Sequence, residues 1–337
     1  MTFSVPDLVA PAGSLRALTL AIDAGADAVY LGLKNATNAR NFAGLNFDAA
    51  QVREGLAYAH KHGRQVLMAL NTYADALDEA PWQAAVDAAA ELGADALIVA
   101  DSAVLAYAHA QHPGLRLHLS VQASATSHAA IEYYRQRYRI QRAVLPRVLT
   151  LQQVQQVIRN TEVEIEVFGF GSLCVMVEGR CALSSYATGQ SPNTAGVCSP
   201  PAAVQWLERP DGVEARLAGV LIDRYGPQEP RGYPTLCKGR FSVGDSAAAD
   251  YALEEPTSLN TLALLPQLVT SGVRAIKIEG RQRSPSYVAG VTRIWRQALD
   301  SLAGGGRYSV QPAWQQELGR WAEGQQSTLG AFDRPWR

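Results

Sequence analysis

The chain alternates short, continuous apolar segments with longer segments of helical periodicity. A unit made of a helix end, a turn of small residues and an apolar strand recurs at residues 23–32, 91–100 and, more loosely, 270–280. In each copy a glycine stands where a helix C-cap favours one, at Gly25, Gly93 and Gly272. Continuous apolar strands are typical of sheets buried on both faces, so these units predict αβ steps of a parallel sheet.

The same pattern predicts eight strands in total, separated by helices. Further apolar strands are predicted at residues 7–13, 66–72, 117–122, 142–147 and 164–170, and the strand of the third repeat at 275–279. Helices are predicted at residues 14–23, 81–92, 149–160 and 284–302, with Pro81 in a first turn and Thr150 as an N-cap. This alternation indicates the α/β class and favours a (β/α)8 TIM-like barrel over an open doubly wound sheet, which stays as the alternative.

The regular alternation breaks at residues 171–270, which contain all four cysteines. We interpret this stretch as a Cys-rich insertion between strands 7 and 8 of the barrel. Residues 1–170 then form the first seven βα units, and residues 271–305 form the last strand and helix. The tail, residues 306–337, has little periodicity and is predicted to pack on the barrel or on a partner. Its tryptophans are Trp314, Trp321 and Trp336.

Composition excludes some functions. The 337 residues carry 30 Lys and Arg against 31 Asp and Glu, and the formal net charge of -1 disfavours nonspecific nucleic-acid binding. The N-terminal sequence lacks the charged and apolar regions of a secretory signal, and no apolar stretch is long enough to span a membrane. We therefore expect a cytoplasmic protein.

The four cysteines lie within one stretch of the chain, with the spacing Cys174-x6-Cys181-x16-Cys198-x38-Cys237. Disulfides are uncommon in a reducing cytoplasm, so clustered cysteines indicate metal ligands or redox thiols. Four thiolates are the usual ligand set of an iron–sulfur cluster. A zinc site has the same ligand chemistry but typically uses C-x2-4-C pairs, which this sequence lacks. On spacing alone, a cluster, a zinc site and separately acting thiols all stay open.

The segment from Glu166 to Ser184 resembles the signature of the collagenase-like peptidase family (U32-type), read as E-x-F-x2-G-[SA]-[LIVM]-C-x4-G-x-C-x-[LIVM]-S, with every fixed position filled. The resemblance extends along most of the chain, through residues 10–14, 27–32, 38–42, 120–124, 237–240 and 277–281. A branch of the family that serves ubiquinone biosynthesis is most similar, through residues 191–194, 221–225, 253–260 and 281–285.

The resemblance implies a 4Fe-4S cluster held by Cys174, Cys181, Cys198 and Cys237. It also implies oxygen-independent hydroxylation of the aromatic ring of a ubiquinone precursor, with a sister protein of the same family as heterodimer partner and prephenate as hydroxyl donor. Four cysteine ligands favour a fully coordinated cluster that transfers electrons. The alternatives are an RNA base hydroxylase of the same family, a collagenase-like peptidase and a noncatalytic scaffold subunit. The peptidase alternative lacks a recognisable catalytic motif such as H-E-x-x-H.

Candidate substrate-binding residues follow from the barrel itself, because catalytic groups of such barrels lie at the C-terminal ends of the strands. This rule nominates Arg40, Asn71, Asp101, Gln122, Arg147, Lys277, Glu279 and Arg281. We take Arg147, Lys277, Glu279 and Arg281 as the catalytic candidates, and expect Arg147 and Arg281 to bind a dicarboxylate. The alternative for each is a structural ion pair at the barrel mouth.

Other side chains carry weaker predictions. Tyr30, Phe42 and Tyr73 are candidates for stacking on an aromatic substrate, with packing as the alternative. Glu178 and Arg180 lie between two cysteines and are candidates for tuning a cluster or for a surface ion pair. His112, His118 and His128 lack metal-ligand spacing and are predicted to be surface or satisfied core residues.

Overall fold

The computed structural model describes residues 5–41, 44–174, 176, 181–245, 248–304 and 307–334. Seven parallel strands follow one another around a barrel wall, each hydrogen-bonded to the next. They are β1 (Asp7–Pro11), β2 (Ala28–Leu31), β3 (Gln65–Leu70), β4 (Ala96–Val99), β5 (Leu117–Leu119), β6 (Arg142–Val144) and β7 (Glu164–Ser172). The helices between them are α1 (Leu15–Asp23), α2 (Ala49–Lys61), α3 (Ala80–Leu92), α4 (Ser102–Gln111), α5 (His128–Tyr138) and α6 (Leu151–Arg159).

After β7 the chain leaves the barrel wall for a long insertion. It contains α7 (Ala182–Thr188), α8 (Pro192–Ala195), the strands β8 (Val204–Arg209), β9 (Gly212–Leu217), β10 (Val220–Tyr225), β11 (Arg240–Phe241), β12 (Asp250–Tyr251) and β13 (Ser258–Asn260), and then α9 (Leu265–Thr270). Strands β8, β9 and β10 form an antiparallel three-stranded sheet, and β11 pairs with β12. Helix α9 buries Leu265 and Leu268 in the main core, so it packs as a barrel helix.

The eighth barrel strand is β14 (Ala275–Ile278), which is parallel to both β1 and β7 and so closes the ring. The closed, eight-stranded parallel ring confirms the predicted (β/α)8 TIM-like barrel. The helix that follows is α10 (Pro285–Ala303), and the tail forms α11 (Pro312–Trp321) and β15 (Ser327–Thr328). Among the described helices, none combines the length and the apolar character needed to cross a bilayer.

Local signals explain where several elements begin and end. Ser14 caps α1 by accepting a hydrogen bond from the backbone N–H of Ala17, and Thr150 forms a capping box with Gln153 at α6. The three predicted C-cap glycines all have positive φ, at 97° for Gly25, 81° for Gly93 and 93° for Gly272. The predicted strand 117–122 is too long, because a 3-10 turn begins at Val121.

Two packed layers hold the barrel together. The larger core lies between the strands and the surrounding helices and includes the fully buried Trp295 of α10. A smaller apolar cluster, with members such as Val9, Tyr30 and Leu67, fills the part of the barrel interior formed by the early strands and β14. On β5 to β7 and β14 the interior instead carries buried polar side chains, which are His118, Arg142, Glu166 and Lys277.

The tail packs on the barrel and extends its hydrogen-bonding beyond the ring. Strand β13 is antiparallel to β7, with Ser258 opposite Ser172, and β15 adds to β13. In α11, the Trp314 indole N–H donates to Gln297 of α10 at 3.0 Å, and Trp321 stacks edge-to-face on Tyr287. Trp336 lies outside the described residues.

We predict that Trp295→Ala lowers the free energy of unfolding by about 3–5 kcal/mol, because it leaves a cavity between α10 and the barrel. Chemical denaturation monitored by circular dichroism measures the change. Trp206→Ala is the matched control: this tryptophan is 42% exposed on β8, and we expect less than about 1 kcal/mol. Equal losses in the two variants would contradict the assignment of Trp295 to the core.

Candidate active site at the barrel mouth

A cavity opens at the C-terminal end of the barrel strands, with about 640 Å³ of space not filled by atoms, part of it open to solvent. Seven of the eight residues nominated from strand ends line it: Arg40, Asn71, Gln122, Arg147, Lys277, Glu279 and Arg281. The aromatic rings of Tyr30 and Phe168 complete its wall. The barrel therefore gathers residues from distant parts of the sequence into one site.

The floor of the cavity is a buried ion pair. Lys277 Nζ lies 2.6 Å from Glu166 Oε1, and both side chains are almost inaccessible to solvent. Burial lowers the pKa of Lys277, although the adjacent Glu166 carboxylate opposes that shift. The ammonium also lies 4.1 Å from the centre of the Tyr30 ring. Lys277 is thus a positioned cation whose neutral form is more accessible than that of a solvated lysine.

Arg281 is a second buried cation beside the same ring. It is 4% exposed and donates to Asn38 Oδ1 at 3.1 Å. Burial lowers its pKa to about 10, so it stays protonated at neutral pH. Tyr30 donates its hydroxyl to the carbonyl of Ile278 at 2.9 Å, and burial raises its pKa. The ring is therefore held in place as a neutral, rigid wall.

Two further arginines line the cavity and also contact the cysteine-bearing segment. Arg147 donates to the carbonyl of Ser172, and its guanidinium lies 4.3 Å from the centre of the Phe168 ring. Arg40 donates to the carbonyl of Gly196 at 2.7 Å. Ser172 precedes Cys174 by two residues and Gly196 precedes Cys198 by two residues. Residues of the cavity lining are therefore hydrogen-bonded directly to the backbone of the cysteine segment.

The charged lining favours anions. Arg40, Arg147, Lys277 and Arg281 face one lining carboxylate, Glu279, whose Oε2 accepts from the backbone N–H of Ser172 at 3.2 Å. Guanidinium groups bind carboxylates through paired N–H donors. The site can thus hold a carboxylate ligand against aromatic walls.

The four cysteines are present as thiols rather than disulfides. Burial raises the pKa of Cys237 to about 12, with Lys238 opposing the shift and Cys198, Cys174 and Cys181 adding to it. The other three thiols are therefore within electrostatic range of Cys237. In the parts of the chain that the structure describes, however, no three His, Cys, Asp or Glu side chains already have metal-ligand spacing.

The chemistry of the donor set is compatible with a cluster, because four cysteine thiols are the ligands that such a cluster uses. Four thiols in one neighbourhood match the ligand set of an iron–sulfur cluster, and the backbone around them is stabilised by short contacts. Ser184 Oγ donates to the carbonyl of Cys198 at 2.5 Å, and the Cys181 sulfur accepts from the N–H of Ser184 at 3.5 Å.

The comparisons with known proteins place the chain in a family. The family profile described as Peptidase family U32 matches residues 13–333. The chain belongs to peptidase family U32. This confirms the family resemblance drawn from the segment between Glu166 and Ser184.

Among U32 relatives, the chain is 32% identical over 320 residues to an uncharacterized protease of Methanocaldococcus jannaschii, covering 93% of this chain and 69% of the relative. It is 30% identical over 320 residues to the tRNA hydroxylation protein P of Escherichia coli, covering 89% of this chain and 69% of the relative. A solved U32 peptidase structure aligns with a TM-score of 0.43 and 15% identity, over 49% of this chain and 69% of that chain.

Some predicted site residues lie elsewhere. Asp101 does not line the cavity of this U32 protein; its carboxylate caps α4 through Ala103 and holds the loop after β3 through the N–H of Ala74, at 2.7 and 3.0 Å. Tyr73 is not a lining residue either, and its hydroxyl donates to the carbonyl of Gln122. Phe42, Glu178 and Arg180 lie outside the described residues.

The sequence reasoning missed the polar barrel interior. Arg142 reaches Asp7 at 2.7 Å, Glu164 at 2.8 Å and Glu166 at 3.5 Å. A usable signal was present at Glu166, which lies inside the otherwise apolar run of β7 and is completely buried. His118 was predicted to be a surface or satisfied core residue; it is buried, but neither ring nitrogen has a hydrogen-bond partner.

His118 predicts a pH dependence of stability. Burial, together with the charges of Arg142, Arg116 and Lys277, lowers its pKa well below 6.5. Below pH 6.5 the unfolded chain therefore binds a proton at His118 that the folded protein does not bind. The contribution of His118 to the free energy of unfolding is fully present above that pH and is lost as the pH falls. This group alone contributes a slope of up to about 1.4 kcal/mol per pH unit.

We predict that His118→Asn makes the free energy of unfolding fall less steeply between pH 6.5 and 5, as measured by urea titrations at several pH values. His128→Asn replaces an exposed histidine and should leave the slope of the wild type unchanged. Identical pH profiles for wild type and His118→Asn would show that His118 does not act in this way.

Proposed function

We propose that this chain is the iron–sulfur subunit of an oxygen-independent hydroxylase that acts on the aromatic ring of ubiquinone precursors in the cytoplasm. In this role it would resemble UbiU, a ubiquinone biosynthesis protein, and act with a UbiV-like sister protein as a heterodimer. The proposal rests on the hydrogen bonds that join the cavity lining to the cysteine segment. Arg147 donates to the carbonyl of Ser172, and Arg40 donates to the carbonyl of Gly196.

The cavity suits a dicarboxylate donor and an aromatic acceptor. Prephenate, the donor implied by the family resemblance, carries two carboxylates, and Arg147 and Arg281 are the cations that would bind them. Tyr30 and Phe168 offer ring faces at the same site for an aromatic precursor.

Cys174, Cys181, Cys198 and Cys237 would hold a 4Fe-4S cluster, which when bound supplies one-electron transfer next to the cavity. The chain's own residues perform the remaining tasks. The Arg147 and Arg281 guanidiniums would orient the donor. The Lys277 ammonium, paired with Glu166 at 2.6 Å, would hold a fixed positive charge at the floor of the cavity, beside the bound carboxylates.

The curated relative from E. coli supports hydroxylation as the type of reaction, since it is named a tRNA hydroxylation protein. That name also favours a second candidate function, hydroxylation of an RNA base. A cavity with excess positive charge suits a nucleic-acid phosphate as well as a carboxylate. The two candidates share the cysteine centre and differ in the aromatic acceptor.

We predict about four iron atoms and four acid-labile sulfides per chain in anaerobically purified protein, and an electron paramagnetic resonance signal after reduction. Cys181→Ser should lose most of this iron, while Ala187→Ser, on the same helix, should retain it. About one zinc per chain without sulfide would overturn the cluster.

We also predict that deleting the gene blocks ring hydroxylation only during anaerobic growth, so that unhydroxylated quinone precursors accumulate. Mass spectrometry of lipid extracts and of digested RNA from the same cultures distinguishes the two candidates. Normal quinone content together with missing hydroxylated bases would reject the ubiquinone assignment in favour of RNA.

A further inference from the structure

Ser172 connects the cavity to the cysteine segment through its backbone. It is the last residue of β7 and precedes Cys174 by two positions. Its N–H donates to Glu279 Oε2 at 3.2 Å, and its carbonyl accepts from Arg147. Both backbone groups of this one residue are therefore held by charged side chains that line the cavity.

The approach of Glu279 depends on the residue before Ser172. Gly171 has φ of 133°, and a Cβ at this position would lie 2.5 Å from the Cβ of Glu279 and 3.0 Å from its Oε2. Only glycine allows both the backbone conformation and this close contact. The geometry at Ser172 is thus tightly specified.

The Ser172 side chain contacts a buried ion pair beside Cys237. Lys238, which directly follows Cys237, donates from Nζ to Ser172 Oγ at 3.2 Å. The same ammonium lies 2.5 Å from Glu323 Oε2, which also accepts from Ser172 Oγ at 3.2 Å. Lys238 is 4% exposed, so water screens its charge little and neighbouring sulfurs experience it strongly.

Glu323 belongs to the tail and is fixed independently of the cavity. Its backbone N–H donates to Ser258 Oγ at 2.9 Å, and Ser258 lies opposite Ser172 in the ladder between β13 and β7. The tail therefore supplies one of the charges near the cysteines. The contacts run without a break from Arg147 and Glu279, through Ser172, to Lys238 and Glu323.

We propose that Ser172 and Lys238 are positioning residues that couple anion binding in the cavity to the reduction potential of the cysteine-bound centre. The inference rests on the proposed function and extends it, because it names how the two halves of the site communicate. A carboxylate ligand draws the Arg147 guanidinium toward itself and weakens its bond to the Ser172 carbonyl. Ser172 Oγ then shifts relative to Lys238, whose charge stabilises the reduced, more negative centre.

The sign of the coupling follows from charge. An anion in the cavity and a displaced Lys238 both make the surroundings of the centre less positive, so the bound ligand disfavours reduction. By thermodynamic reciprocity, the reduced protein must bind the ligand more weakly by the same factor. We expect about a tenfold difference in affinity, which corresponds to about 59 mV for a one-electron couple.

The experiment is a dithionite titration of the anaerobically purified protein, followed by electron paramagnetic resonance, without ligand and with saturating prephenate. Sulfate at equal ionic strength controls for a general salt effect. Prephenate affinity is measured separately for the oxidised and the reduced protein. In the wild type, the midpoint potential should fall on prephenate addition, and the two affinities should differ by the matching factor.

Variants separate coupling from stability. Ser172→Ala removes the hydroxyl group but keeps the backbone groups, and should reduce the affinity ratio to less than about twofold. Lys238→Met should lower the potential without ligand and should also reduce the affinity ratio to less than about twofold. Ser172→Thr and Lys238→Arg keep the hydroxyl and the charge and should restore the shift. Lys34→Met, which removes an exposed lysine paired with Asp48, is the matched control and should behave as wild type.

The outcomes are distinguishable. A wild-type protein that contains no cluster or does not bind prephenate overturns the proposed function and this inference with it. A protein that has the cluster and binds prephenate, yet has equal affinities in both redox states, overturns the inference alone. The same holds if Ser172→Ala and Lys238→Met retain the full shift. The comparison of prephenate affinity between the oxidised and reduced wild-type protein needs no variant, so it still tests the inference if a variant fails to fold.

Discussion

Closure of the barrel by β14 is the constraint on which the site depends. This strand is parallel to β1 on one side and to β7 on the other, so residues from the two ends of the barrel sequence become neighbours. Lys277 of β14 then lies against Glu166 of β7 and against the ring of Tyr30 of β2. An open sheet would leave β1 and β7 as separate edges, and the cavity would not exist.

Closure has an electrostatic cost, because it buries charges. Arg142, Glu166 and Lys277 lie in the interior where solvent cannot stabilise them. They are tolerated only because they form ion pairs with one another and, through Arg142, with Asp7 and Glu164. An apolar interior would be expected to be at least as stable. Retaining charges there gives the floor of the cavity a fixed electric field, and a field of this sign favours a bound anion.

Much of the fold could be predicted from the sequence because the patterns that identify its helices and strands are local. Apolar strands, the Ser14 and Thr150 caps and the three turn glycines identify elements within a few residues of their true bounds. The rule for barrel mouths found the lining arginines in the same way. It could not exclude Asp101, because whether a carboxylate at a strand end faces the cavity or caps the next helix depends on its rotamer.

Other features required the three-dimensional structure. The sheet formed by β8, β9 and β10 lies among glycines and prolines that favoured an irregular segment, and its pairing depends on contacts rather than periodicity. The Ser172, Lys238 and Glu323 contacts join residues far apart in the sequence. His118 was misjudged because its lack of partners depends on what neighbouring strands present, which no property of residues 117–122 encodes.

The ladder between β13 and β7 has a consequence for how such a protein can diversify. Ser172 and Ser258 are direct partners across this ladder. The inserted segment therefore leaves the barrel and returns to it at a single pair of hydrogen-bonded strands. The entropic cost of closing a loop grows only slowly with its length, and the pairing of β13 with β7 already holds the two ends of this loop together. Parts of the intervening chain that carry no cysteine, such as the sheet of β8, β9 and β10, can therefore be lengthened or shortened at little entropic cost while the eight-stranded ring keeps its shape.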